Sequence, residues 1–161
     1  MVKSNFFSHI RKNYFYFFLI SSIIFLFDRL TKIFFVNNGS IYISKFFNFF
    51  YTENTGAAFG IFNNMNFVLG LFNLLIISFI IYYIFKYDFD FKILLGLSFV
   101  VGGSLANAFD RLFIGFVVDF ISIYKWPNFN VADSFIVLGF MLLIFLYFKQ
   151  PSLFNLTKKM S

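Results

Sequence analysis

The stretch ILLGLSFVVGGSLANAFDR, residues 93–111, is predominantly apolar as far as Phe109 and then turns abruptly to Asp110 and Arg111. Its length is close to the ~20 residues a helix needs to cross ~30 Å of hydrocarbon. Asn107, Asp110 and Arg111 lie at i, i+3 and i+4, so a helix puts them on one face. There Arg111 is available to hold a carboxylate in a planar fork. An apolar helix that delivers ionisable groups to its end reads as a membrane span carrying polar chemistry to one membrane surface.

Three further apolar stretches match it. They run over residues 14–36, over 67–85 (broken only by Asn73 and Ser78), and over 132–148, where Asp133 stands at the start. Backbone crossing lipid must satisfy its own hydrogen bonds, which requires helices. The expectation is an all-α integral membrane fold with four transmembrane helices, in one membrane-embedded domain over residues 1–161 with no internal repeat or linker. Charged residues stand where a cleavage site would follow the first span, so it is not read as a removable leader.

Composition agrees. With 60% hydrophobic and only 12% charged residues, the chain lacks the polar shell of a soluble core, so lipid must solvate much of its surface. Cysteine is absent, which excludes disulfides, thiolate catalysis and cysteine-ligated metals. The single histidine, His9, precedes every apolar segment, which argues against a His metal site or a Ser-His-Asp triad. The 32 phenylalanines read as codon bias in place of Leu and Val, with an aromatic binding surface as the alternative.

The net charge of +6 is not gathered into a patch, so no nucleic-acid partner is expected. Lys3, Arg11, Lys12, Lys86, Lys92, Lys149, Lys158 and Lys159 flank one end of the spans and mark the cytoplasmic side. Arg29, Lys32, Lys45, Arg111 and Lys125 fall at or beyond the other end, so both termini are expected inside. Two outer loops result, 37–66 and 112–132. In the first, Ile41-Tyr42-Ile43 and the aromatic run to Tyr51 favour a small extracytoplasmic β element between helices 1 and 2.

Of seven carboxylates, five fall at the outer level: Asp28, Glu53, Asp110, Asp119 and Asp133. Their convergence suggests a site, since ionisable groups at span ends are costly unless paired or wet. Bland readings stand beside this. Asp28 and Lys32, four apart, form a structural ion pair; Asp110 beside Arg111 fixes a helix end; Asp133, three residues after Asn130, serves as an N-cap. Gly56, Gly60, Gly102 and Gly103 permit turns or close helix packing. Asp119, flanked by Val118 and Phe120, has no local partner and resists such an account.

At these residues the chain resembles the lipoprotein signal peptidase (signal peptidase II) family. Five motifs occur in that family's order: Asp28-Arg29-Leu30-Thr31-Lys32; Asn54-Thr55-Gly56-Ala57-Ala58-Phe59-Gly60; Gly102 to Arg111; Val117-Val118-Asp119-Phe120; and Phe129-Asn130-Val131-Ala132-Asp133-Ser134. Arg29 stands where the family usually has Gln, and Ala106 where it usually has Gly. The resemblance implies an aspartic endopeptidase with Asp119 and Asp133 as its catalytic pair. Asn54, Gly56, Asn107 and Asn130 would support substrate or dyad, Asp110 with Arg111 would orient that shell, and Asp28 with Lys32 would anchor the first helix.

The implied substrate is a prolipoprotein carrying diacylglycerol on its lipobox cysteine, cleaved just before that cysteine. The implied setting is the bacterial inner membrane, with the site near its outer face, a monomeric enzyme among membrane lipid, and no metal or cofactor. Two carboxyls sharing a proton suit the chemistry, with Asp133 at a helix N-terminus ionised and Asp119 among apolar groups protonated. A small carrier binding a cation with its carboxylates is the competing class, and a structural assembly factor the third.

Overall fold

The structure, a computed structural model, describes residues 2–56, 62, 64–155 and 157–158, with side chains over 12–155 of these. Of His9 only the backbone is described, and the part of the second motif from Ala57 to Gly60 lies outside the described residues. Four long helices follow the four apolar stretches: α1 Val2–Asn38, α2 Asn66–Lys86, α3 Phe91–Phe109 and α4 Val131–Lys149. Among the described residues three segments, Asn66–Lys86, Phe91–Ile114 and Val131–Lys149, are long and apolar enough to cross a membrane. The predicted first span lies within α1, which is 37 residues long.

Local signals explain the helix ends. Gly39 ends α1 in the left-handed region at φ +71°, its N–H returning to the Phe35 carbonyl at 2.9 Å. Asp90 caps α3 by accepting from the Lys92 N–H at 2.8 Å. The α3 ladder then widens into a π-helical turn, Asp110–Ile114, closed by Gly115 at φ +91°. Within α2, the Ser78 hydroxyl donates to the Leu74 carbonyl at 2.8 Å, so this polar residue does not interrupt the apolar run.

α3 is the centre of the bundle and packs against α1, α2 and α4. About two thirds of its apolar window is buried, against 17% for α2 and α4, whose exposed apolar faces are left for lipid. Its small residues let the neighbouring backbones approach. A Cβ on Gly102 would lie 2.8 Å from the Ser21 carbonyl oxygen of α1, and one on Gly103 would collide with the Ala132 carbonyl oxygen of α4. Phe17, Ile77, Ile84, Leu94 and Val101 fill the bundle toward its lysine-bearing end.

The β element between helices 1 and 2 is present but differs in extent and partner from the sequence reading. β1 spans Phe47–Asn54, and Ile41 contributes only an isolated bridge to Phe49. Its antiparallel partner is β3, Val117–Ile123, a segment expected to be loop. The pairing is long-range, and Val117-Val118-Asp119-Phe120-Ile121 is a short apolar run with one acid and no two-residue alternation to announce it. A two-residue β2, Tyr87–Asp88, pairs with β4, Thr157–Lys158, near the other end. The main sheet rests on α1 through Phe35, whose ring stacks on Phe120 at 4.3 Å and also meets Phe49.

The α3–α4 contact carries a prediction. Gly103→Ala should destabilise the protein by about 1–3 kcal/mol, because a methyl group must displace helix backbone. Thermal unfolding in detergent measures this; an unchanged midpoint would show that the helices do not approach as described.

Candidate active site

The site forms where the ends of α1, α3 and α4 meet the sheet. Asp119 is placed by β3, opposite Thr52 of β1. A turn closed by the Trp126 N–H on the Ile123 carbonyl (2.7 Å) returns the chain, so that Phe129 pairs with Ile121. Asn130 is thereby brought beside the strand that carries Asp119. Its Nδ2 donates to Asp119 Oδ1 at 2.7 Å, while Asn54 Nδ2 from β1 donates to Oδ2 at 2.8 Å. The aspartate without a sequence-local partner thus has two amides, both from distant segments.

Asn130 is also the N-cap of α4, a position the sequence reading had considered for Asp133 itself. Asp133 stands three residues on and completes a capping box: the Asn130 side chain accepts the Asp133 N–H at 2.9 Å. Asp133 Oδ2 in turn accepts the Asn130 N–H at 3.2 Å. Asp133 Oδ1 accepts from Asn107 Nδ2 at 2.7 Å. Asn130 thus touches both candidate catalytic carboxylates, one through its amide and one through its backbone.

Behind this pair lies a second charged layer. Lys32 is fully buried, and its ammonium donates to Asp110 Oδ2 at 2.7 Å and to Asn107 Oδ1 at 3.0 Å. It also pairs with Asp28 Oδ2 at 2.7 Å, as the spacing on α1 predicted. Asp28 Oδ1 accepts the Ala132 N–H at 2.8 Å, occupying a helix N-terminal donor that α4 cannot satisfy itself. With its Oδ1 engaged by Lys32 and by Asn130 Nδ2 (3.2 Å), the Asn107 amide can only aim its NH2 at Asp133.

Three sequence expectations change. Arg111 does not hold Asp110; its Nη2 donates to the Gly56 carbonyl at 3.1 Å. The π-helical turn beginning at Asp110 breaks the 3.6-residue period, so Arg111 leaves the face that Asn107 and Asp110 share. Asp110 is held instead by Arg29, through an ion pair with Oδ1, and by Lys32. In the sequence Arg29 reads as a departure that adds a charge near the site, and the structure sets that charge against Asp110. The available signal was a count: two buried acids, Asp28 and Asp110, beside two cations on the first helix. Third, Glu53 does not converge with the other acids; it accepts from the Tyr51 hydroxyl at 2.9 Å in an exposed position.

Asp119 is nearly inaccessible to solvent, and burial is the main reason its carboxyl is raised from the ordinary value of 3.8 to about 7. The Asp133 carboxylate raises it further, while the Asn54 and Asn130 hydrogen bonds pull it down. One carboxyl held near neutrality beside a second carboxylate is an arrangement able to accept a proton at one oxygen and deliver one from another.

The clamp on Asp110 is testable. Arg29→Gln should leave a folded protein, because Lys32 still neutralises Asp110, and should cost about 1–3 kcal/mol. Lys32→Met should prevent folding, because Asp28 and Asp110 then face each other without a shared cation. Yield of monodisperse protein and unfolding midpoint check both; a well-folded Lys32→Met would contradict the arrangement.

Comparison with known proteins places the chain in a family. The family described as Signal peptidase (SPase) II matches residues 20–149. A lipoprotein signal peptidase of Clostridium novyi (strain NT) is 44% identical over 131 residues, covering 74% of this chain and 88% of that protein. One from Clostridium acetobutylicum is 41% identical over 144 residues, covering 82% and 94%. A solved structure described as a bacterial membrane enzyme, determined by the in meso method at 2.3 Å resolution, superposes with a TM-score of 0.77. It is 28% identical, and the match covers 90% of this chain and 94% of that one. The family match over most of the chain, with relatives above 40% identity across nearly their whole length, shows that this chain belongs to the signal peptidase II family.

Proposed function

We propose that the chain is an aspartic endopeptidase that removes the signal peptide from diacylglyceryl-modified prolipoproteins, cleaving before the lipidated cysteine. The observation that carries the reading is the position of Asn130, hydrogen-bonded at once to Asp119 and to Asp133. The substrate class comes from the relatives, which are named lipoprotein signal peptidases.

The reaction follows from the two carboxyls. Asp133, ionised and held by the α4 N-terminus and Asn107, takes a proton from a water whose oxygen attacks the scissile carbonyl carbon. Asp119, protonated, donates to the carbonyl oxygen as it gains negative charge. Collapse of the tetrahedral intermediate breaks the C–N bond: the proton taken by Asp133 passes to the leaving amine of the cysteine, and one hydroxyl of the intermediate returns its proton to Asp119 as the product carbonyl re-forms. The charge balance supports one proton on the pair. Asp28, Asp110, Asp119 and Asp133 carry four negative charges, and Arg29, Lys32 and Arg111 carry three positive ones. A single proton shared by Asp119 and Asp133 makes the buried cluster neutral.

Asn54, Asn107 and Asn130 act as positioning residues, and Arg111 ties the loop at Gly56 to the bundle. In this reading all four helices span the bacterial inner membrane as one monomeric domain. Lys12, Lys86, Lys92 and Lys149 then face the cytoplasm with both termini, and the carboxylates lie near the outer face. A lipid-borne cleavage site can reach carboxylates at that depth while its acyl chains stay in the bilayer. Neither cofactor nor metal takes part in the scheme.

A gel-shift assay with diacylglyceryl-modified prolipoprotein tests the reading: wild type releases the signal peptide, and Asp119→Asn and Asp133→Asn each lose at least about 10³-fold in rate. Cleavage that survives either substitution would overturn the assignment. The pH dependence has a definite sign. Asp119 must hold its proton to donate, so kcat/KM falls as pH rises through about 7. The fold shows the same sign: it holds a proton that the unfolded chain gives up near 3.8. That contribution to stability is full at low pH and is lost as pH climbs through about 7, and Asp119→Asn should abolish the dependence.

A further inference from the structure

We propose that the free end of the β1–β3 sheet is a membrane-interface anchor. Phe46, Tyr124 and Trp126 enter the headgroup region of the leaflet beside the site, and Lys45 and Lys125 meet anionic lipid phosphates. This inference rests on the membrane placement of the helices and not on the assignment of the catalytic pair.

The rings are large and outward-facing: Phe46 is 64% exposed, Tyr124 57% and Trp126 64%, with Tyr42 nearby in sequence at 78%. Phe46 and Tyr124 form a pair, and Lys125 and Trp126 follow Tyr124 in the same turn. The Phe46 and Tyr124 rings meet at 5.7 Å, the Tyr124 N–H donates to the Phe46 carbonyl at 3.0 Å, and Lys125 Nζ lies 5.4 Å from the Tyr124 ring centre. An apolar aromatic surface rimmed by amines suits the lipid–water boundary, where ring bodies are buried and polar tips stay wet. It does not suit bulk water.

The backbone is shaped for this display. Tyr124 occupies the left-handed region at φ +38°, inside the turn closed by Trp126 on Ile123. Glycine or asparagine fills such a position without strain, whereas tyrosine does not. A bulky aromatic held there keeps a strained backbone while its ring stays exposed. The depth is also consistent. On α1, Leu30, Ile33, Phe34 and Val36 remain exposed beyond the level of Asp28, so its lipid-facing surface continues to the turn where Phe35 stacks under Phe120. The sheet lies at that level. Seated in the interface, it holds the strand bearing Asp119 at the depth where a lipid-borne cleavage site arrives.

Trp126 is the only tryptophan in the chain, so its fluorescence reads this surface alone. Full-length protein is placed one copy per nanodisc in bilayers containing phosphatidylglycerol, with bromine or nitroxide labels at the headgroup or along the acyl chain. The anchor predicts that Trp126 loses most of its emission to the shallow labels, little to the deepest ones, and little to aqueous iodide. Lys45→Gln with Lys125→Gln should weaken shallow quenching. A Trp126→Phe protein carrying Phe79→Trp, on the exposed face of α2, reports the spans separately and should respond to the deep labels. If Phe79→Trp behaves so while Trp126 is quenched by iodide and by no lipid label, the anchor is wrong and the spans stand. Shielding of Trp126 from both lipid and water in single-copy discs would also overturn it, since protein would then cover the rings.

Discussion

Lys32 has no solvent contact, and its ammonium donates to Asp110 and Asn107 and forms an ion pair with Asp28. Burying an ammonium in a helical bundle is tolerable only with its counter-charges in place, and those charges come from α1 and α3. Satisfying this one group fixes the rotation of the two helices about each other. Asp28 then reaches the first turn of α4 through the Ala132 N–H, so the same ion pair also locates α4. The Asn107 amide is oriented as a consequence, and through it Asp133. The candidate chemistry is the outermost layer of an arrangement whose innermost layer is electrostatic.

Much of this was legible in the chain before any coordinates. Long apolar runs give helices in lipid because nothing else satisfies their backbone, and the four stretches each became a helix. Close approach of helices was legible in Gly102 and Gly103, since an α3 rich in small residues can sit at a bundle centre. The Asp28–Lys32 pair was legible because a helix converts a spacing of four into proximity. What could not be read were relations that depend on chain reversal and on irregular helix. The pairing of Val117–Ile123 with Phe47–Asn54 crosses two helices in sequence. The π-helical turn at Asp110 sends Arg111 to Gly56, and no periodicity foretells a change of period.

Arg29 shows a different limit. Compared with a family pattern it looked like a tolerated substitution, yet it supplies the second cation on Asp110. A comparison by position registers that the residue differs, whereas a count of buried charges registers what the difference does. The same count bears on the cation-carrier alternative. Asp28 and Asp110 are already occupied by side-chain cations, which leaves only the Asp119–Asp133 pair with a negative charge to spare. Those two are tied to amide donors that would have to turn away before a metal ion could be coordinated. A shared proton needs no such rearrangement.

The central claim is therefore about protonation: below about pH 7 the candidate catalytic pair holds one proton, carried by Asp119. Infrared spectroscopy of protein with isotope-labelled aspartate measures this directly, because a protonated carboxyl absorbs apart from carboxylates and is absent when its residue is replaced. The account predicts one protonated buried carboxyl at mildly acid pH that titrates near 7 and vanishes in Asp119→Asn. A spectrum in which every buried aspartate is ionised at that pH, or in which the protonated band survives Asp119→Asn, would contradict it.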